Sequence, residues 1–508
     1  MRKLFISYTL FCMVMFLVSC GQTAEYAKVI PAEVDLVATF DSERIIEESG
    51  LLNENLGESQ LKFKELIKKN LSAGEEELLD QIFSNPQEIG IDWSGKVYAF
   101  VPAKMELTAF LFPVSDAEKL KNSVKTFAGR KMKDRTFKDE ECFAAAIVNR
   151  SLVAITEQVG LILTPKDGTN PKTLKELAST WFKQSEKSSF MSSPYFDKLS
   201  NLDGEIGLFA SLERLPENIS VMASMAYAED MDISSIKYLM DISFEKGQVV
   251  ADGKLMFEDK SIRDFIHKNF NATQPLKGTS LSSLPKSTPV WMGFGVDGNE
   301  FFDLISEHPV YGKELEKMSL PLDLEGMIRS IDGDFSFAYP HGIFIDVKND
   351  EILKICVGAI KTMGRFLRLD LNEIGEDQYQ VTDESRTISR FLGIKSDIQI
   401  GMKDDSFYLV TNAKALDNLN KEETLASTPW AKEVDKNYVF MAFNIKEGAN
   451  LASKYVKKGK NQDTNLKYFD FVTYSQKDID SNKIVLSLVD QQRNVIEQLI
   501  ELLVLNMK

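Results

Sequence analysis

The feature that most limits what this chain can become is a succession of strand and helix signals that runs twice in the same order. Ile30-Pro31 opens an expected strand, Asp35–Phe40, and a helix near Asp41–Ser49; Leu284-Pro285 opens a strand, Pro289–Gly295, and a helix near Asn299–Glu307. Asp41 is placed to cap the first helix and Gly50 to end it. A helical region follows in each half, and in the first it starts on Ser72-Ala73-Gly74-Glu75, the pattern of a capping box.

The correspondence continues along both halves. Ile91-Asp92-Trp93-Ser94-Gly95 leads into a strand to Phe100, and Ile331-Asp332-Gly333-Asp334 into one that reaches Ala338. Strand Thr108–Pro113 and helix Ala117–Phe127 match Gly342–Val347 and Glu351–Phe366. Alternating segments Cys142–Asn149 and Ser151–Thr156 read as a hairpin, as do Asp397–Lys403 and Ser406–Thr411. Ser193-Pro194-Tyr195 pairs with Thr428-Pro429-Trp430, each ahead of a strand, Ile206–Leu212 or Tyr438–Ile445. Each half closes on a hairpin and a helix: Tyr238–Phe244, Val249–Phe257 and Ile262–Phe270, then Phe469–Tyr474, Ile484–Val489 and Val495–Leu503.

This order predicts an α+β protein of two tandem similar units, each a mainly antiparallel sheet with helices packed on one face. The expected units are residues 29–275 and 284–508, divided by the Ser-, Thr-, Pro- and Gly-rich stretch Thr273–Pro285. A chain of 508 residues with 44% hydrophobic and 27% charged side chains has the makings of large cores and is no disordered polymer.

The amino terminus sets the expected address. Arg2 and Lys3 precede a mostly apolar run, Leu4–Val18, and Leu17-Val18-Ser19-Cys20 follows. The run is short for a membrane span, which needs about 20 apolar residues, and suits a signal peptide. Leu17-Val18-Ser19-Cys20 resembles the lipobox of bacterial lipoproteins, which implies cleavage after residue 19 and acylation of Cys20. Two acyl chains on one residue give stable anchoring. Residues 20–28 then read as a tether, and Gly21 rather than Asp after the cysteine favours the outer membrane. Without Arg2 and Lys3 the chain carries 58 basic and 76 acidic residues, a net charge of −18. Such a surface repels phosphate backbones and excludes nucleic acid as a partner. The lysine-rich segments 119–138 and 454–460 read as solvated faces.

The lipobox, the Ile30-Pro31…Asp35 opening and the Gly90-Ile91-Asp92 turn resemble an uncharacterised family of lipoproteins of Gram-negative gut bacteria, domain of unknown function 4836. The resemblance implies an envelope address and an α+β fold, and no activity.

No catalytic residue and no metal or cofactor site is read from the sequence. His267, His308 and His341 lack zinc-ligand spacing, and neither His-Glu-x-x-His, Cys-x-x-Cys, a phosphate-binding Gly-Lys-Ser/Thr loop nor a Gly-x-Ser-x-Gly elbow occurs. Asp478-Ile479-Asp480-Ser481-Asn482 opens like a calcium loop but meets Lys483 where glycine belongs, so it reads as a hairpin turn. Glu229, Asp230 and Asp232 read as a loop or helix end. Asp92 and Asp332, matched in the repeat, are the one carboxylate pair to weigh for glycoside hydrolysis, against a plain turn-capping role. Cys142 and Cys356 read as separate buried thiols, with a disulfide left open. Trp291 reads as core, while Trp430, Tyr195 and Trp93 are the candidate ligand contacts. The functional expectation is a non-catalytic lipoprotein that binds or scaffolds at the outer membrane, with an envelope protein or glycan as possible partner. The alternatives are a glycan-binding or glycan-hydrolysing surface protein, and a carrier of lipid or small ligands.

Overall fold

Strands with alternating burial and helices with one apolar stripe assemble into two units, each organised around an antiparallel sheet. The computed structural model describes residues 25–506 apart from 54–55, 70, 133–135, 167–168, 213–234, 309–311, 314, 316–322, 385–397, 412–419, 421–422 and 454–465. The leader, Cys20, the Glu229/Asp230/Asp232 cluster and the lysine-rich segment 454–460 therefore lie outside the described residues.

The first unit takes the chain up to Asp259 together with Asp490–Lys508. It contains β1 (Val34–Phe40), α1 (Ser42–Ser49), α2 (Glu58–Lys68), α3 (Ala73–Ser84), β2 (Val97–Pro102), β3 (Leu107–Pro113) and α4 (Ala117–Ala128). Then come β4 (Lys138–Asp139), β5 (Ala144–Val148), β6 (Ser151–Ile155), β7 (Val159–Pro165), α5 (Pro171–Lys183), α6 (Pro194–Ser200), β8 (Ile206–Ser211), β9 (Ile236–Glu245) and β10 (Gln248–Phe257). The strands lie in the order β4-β5-β6-β7-β3-β2-β1-β8-β9-β10, every neighbour antiparallel. Local chemistry fixes the element ends as expected. The Asp41 carboxylate accepts from Arg44 N, Gly50 closes α1 at φ 65°, and Ser72 with Glu75 completes the capping box of α3.

The expectation of helices on one face fails in this unit. Leu152, Ala154, Leu161 and Leu163 pack against Leu174, Ala178 and Trp181 of α5, while Val153, Ile155 and Ile162 share a second core with Leu120 and Val124 of α4. Successive residues of one strand point to opposite faces, and every residue of β6 is buried, so helices must cover both sides.

The second unit takes Lys260–Val489. It contains α7 (Lys260–Phe270), β11 (Val290–Asp297), α8 (Gly298–Glu307), α9 (Leu324–Arg329), β12 (Ile331–Tyr339), β13 (Gly342–Val347) and α10 (Glu351–Leu367). Then come β14 (Leu369–Gly375), β15 (Gln378–Asp383), β16 (Ile398–Lys403), β17 (Ser406–Thr411), β18 (Val439–Asn444), α11 (Ile445–Ser453), β19 (Phe469–Gln476) and β20 (Ser481–Leu488). The antiparallel order is β14-β15-β16-β17-β13-β12-β11-β18-β19-β20. One core gathers Trp291, Phe440 and Phe471 under short 3-10 turns that supply Leu281, Leu425, Trp430 and Val434. The other packs Ile352, Leu353 and Val357 of α10 on Ile345, Ile400 and Phe407.

The final helix, α12 (Val495–Asn506), belongs to the first unit, whereas residues 284–508 were expected to form one unit. Likewise α7 belongs to the second unit, although residues 29–275 were expected to form the first. Strands β7, β14 and β15 were not anticipated. Among the described residues no helix is long and apolar enough to cross a membrane.

Candidate functional site

The three aromatic candidates belong to three different packing clusters. Trp93 is 5% exposed in the α3–α4 core, and its indole N–H donates to the Pro86 carbonyl. Tyr195 stacks on Phe209 at 5.1 Å and donates to Glu258 at 2.9 Å; burial, then Glu258, pushes its pKa to about 12. Trp430 is 8% exposed, with ring centroids 6.0 Å from Trp291 and 5.6 Å from Phe440. Side chains committed to three separate packing clusters offer no stacking platform.

The two candidate carboxylates are each engaged within their own unit. Asp92 sits in the turn before β2 and accepts from Ser94 N at 3.0 Å and Ser94 Oγ at 2.8 Å. Asp332 lies inside β12 opposite Asp297 and accepts from Gln274 Nε2 at 3.3 Å. Asp332 is thus a residue of β12, whereas Asp92 precedes β2, the strand in the matching place of the first unit. The Asp478 carboxylate turns the β19–β20 hairpin by accepting from Asp480 N and Ser481 N, at 3.0 and 2.7 Å. Cys142 is exposed, and burial pushes the Cys356 thiol up; both are free. Among the described residues no group of three or more His, Cys, Asp or Glu is placed to hold a metal ion.

Three other places have site-like features. The first is a cleft of about 500 Å³ where turns of the second unit meet, lined by Asp350, Glu376, Asp377, Lys403, Asp404 and Asp405 among others. Asp377, Asp404 and Asp405 occupy left-handed backbone, a turn conformation that Asp tolerates. The hydrogen bond from Lys354 holds the Asp350 carboxyl below its ordinary range, the reverse of what a general acid needs.

The second is a pair of buried carboxylates that sequence reading passed over. Asp334, 1% exposed, accepts from Lys277 N, Gly278 N and Thr279 N at 2.7, 2.6 and 3.0 Å. Asp346 accepts from Ser406 Oγ at 2.6 Å and Thr279 Oγ1 at 3.0 Å. Burial pushes the Asp334 pKa up, against the pull of its N–H donors. Both Asp334 oxygens hold the covering loop, while Asp346 links that loop through Thr279 to Ser406 of β17 and to the Asp334 N–H, so the pair ties structure together. A signal was present: Asp334 shares alternation with Ser336 and Ala338, both inward-facing in β12.

The third is an apolar strip that is only half covered. On β11, Trp291, Gly293 and Gly295 are buried, whereas Val290, Met292 and Phe294 on the opposite face are not fully so. Register carries this second face across the sheet in rows: Phe337, Met292, Met441, Tyr474 and Ile484 lie side by side, next to Tyr339, Val290, Phe443, Val472 and Leu486. All are half-buried except Phe443, which is 41% exposed. The first unit has the corresponding face on β1, β8, β9 and β10, with Leu36, Leu208, Met240, Ile242 and Leu255 half-buried. Topology explains the gap. α4 and α10 cover the strands around β3 and β13, while β9–β10 and β19–β20 are joined by tight turns that bring no helix. Near one end of the strip burial pushes the Asp470 pKa up, against the opposing positive charges of Lys286 and Lys446.

The family model for the domain of unknown function DUF4836 matches residues 26–475. Among curated proteins none matches the chain. Two solved structures of TP0453, crystal forms III and I, align at 11% identity with TM-scores of 0.26 and 0.25. They cover 49% and 50% of this chain and 88% of TP0453.

Proposed function

The chain belongs to the DUF4836 family, and from that premise we propose a non-catalytic binding protein of the cell envelope that takes a single-chain amphiphile on its half-covered sheet face. In this reading Cys20 is acylated and anchors the protein at the outer membrane, as its place after Leu17-Val18-Ser19 suggests. The observation that carries the ligand class is the strip of Met292, Met441, Phe337, Tyr474 and Ile484: an unbroken apolar row over five strands, about 19 Å wide at the usual strand spacing. Methionines at its centre adapt to a flexible apolar partner. Lys286 and Lys446 near its end suit an anionic headgroup.

The same reading takes the two units as products of a duplication. Support comes from the two strand orders, which agree place for place, β1 with β11 through β10 with β20. The entry loops agree too: Pro31 bridges Ser189, and Pro285 bridges Thr424.

Fluorescence of N-phenylnaphthylamine, an apolar probe, tests the binding claim on the soluble protein. Saturable enhancement, displacement by palmitic acid and loss of both in Met441→Glu are expected. Lys446→Gln should weaken palmitate at least threefold while leaving the neutral probe unchanged, and Asp404→Asn in the acidic cleft should change neither. Wild-type protein that enhances no fluorescence, or Met441→Glu that binds as well as wild type while folded by circular dichroism, refutes the proposal.

A further inference from the structure

We infer that the two duplicated halves are closed by reciprocal exchange of their last helices, so that each half of the sequence supplies the helix that completes the other's unit. The inference rests on the duplication proposed above and not on the ligand. By chain order α7 follows the β9–β10 hairpin and α12 follows β19–β20, yet α7 belongs to the second unit and α12 to the first.

The two helices dock at matching places. α12 enters the first unit at the β9–β10 turn: Lys246 and Asn494 form an isolated antiparallel bridge, Gly247 N donates to Arg493 O at 2.9 Å, and Asn494 Nδ2 to Phe244 O at 3.0 Å. The Asn494 carboxamide oxygen then caps α12 by accepting from Ile496 N at 2.8 Å. Beyond the cap, Val495, Ile496, Ile500, Leu502 and Val504 are buried. α7 meets the β19–β20 turn of the second unit, where His267 Nε2 lies 3.1 Å from Asp480 Oδ1 and the Phe270 ring 4.7 Å from that of Tyr438. A helix that follows its own hairpin in sequence thus packs at the tip of the other unit's hairpin. Exchange of identical elements is a known route to joining copies of one fold, and here it occurs within one chain.

Each unit's packing therefore includes a helix that the other half of the sequence encodes.

The test uses the full chain with Cys12, Cys20, Cys142 and Cys356 each replaced by Ser, and adds Lys246→Cys with Asn494→Cys. Bridged antiparallel partners stand about 4.5–5.5 Å apart at Cα, within disulfide range. Oxidation should give a disulfide inside one chain, read as a monomer without free thiols. Free thiols that persist, or disulfides that link two chains, overturn the exchange. Where the cysteines impair folding, hydrogen exchange of Ile500→Ala decides. Faster exchange in α1 and α2 is expected, and acceleration confined to Lys260–Val489 refutes the inference. Failure of ligand binding alone leaves both readouts in place, so the two proposals are separable.

Discussion

Asp334→Ala removes one side chain and leaves three backbone donors facing the space. In the wild type its carboxylate accepts from the N–H groups of Lys277, Gly278 and Thr279 at 2.6–3.0 Å. A buried donor without a partner costs about 1–3 kcal/mol. Lys277 and Thr279 are exposed on their outer side, so water relieves part of the loss and the lower bound applies to each. The expected destabilisation is therefore about 3 kcal/mol, a large share of the roughly 5–15 kcal/mol that holds a domain together. Urea unfolding should place the midpoint lower by about 1 M for a slope near 3 kcal/mol/M. The pH dependence has a definite sign. Burial raises the folded pKa of Asp334 above its ordinary value of 3.8, so this group's contribution is complete below the unfolded pKa and declines as pH rises through the folded one. The deficit of the alanine variant should accordingly be larger at pH 4 than at pH 7. A loss under about 1 kcal/mol, smaller than one unmet donor, refutes the idea that this carboxylate holds the covering loop.

Two further outcomes are expected. Glu48 is pushed up first by burial and then by Glu205, with the Asn494 hydrogen bond opposing, so its contribution is present below the unfolded pKa and lost as pH rises through the folded value. Glu48→Gln should match or exceed wild-type thermal stability at pH 7 and lose that advantage toward pH 4; an advantage that grows on acidification contradicts the assignment. In the native host, Cys20→Ala should abolish incorporation of labelled fatty acid and release the protein from membranes; equal labelling of variant and wild type rules out the anchor.

Much of the architecture was legible because local rules act on adjacent residues. Asp41 and Gly50 bound one helix, Ser72 and Glu75 open another, and the β9–β10 and β19–β20 hairpins follow from alternation around their turns. The register of the repeat was misread where locality ends. Cys142–Asn149 and Ser151–Thr156 were matched with Asp397–Lys403 and Ser406–Thr411, but sheet order makes β6 and β7 the counterparts of β16 and β17. β7 was missed because Val159–Leu163 is buried without interruption, and a strand covered on both faces has no period to detect. The path of α12 was hidden for another reason: its apolar face names no partner, and the helices it packs on, α1 and α2, stand more than 400 positions earlier in the chain. The strip escaped notice because half-covered apolar positions are spelled like buried ones. Met292 and Trp291 differ only in which face the pleat gives them.

The most direct measurement of the central claim is native mass spectrometry of the protein incubated with palmitic acid. The account predicts discrete fatty-acid adducts on wild-type protein, and their loss from Met441→Glu at unchanged charge-state distribution. Bare wild-type protein under these conditions, or adducts of equal occupancy on the variant, would contradict it.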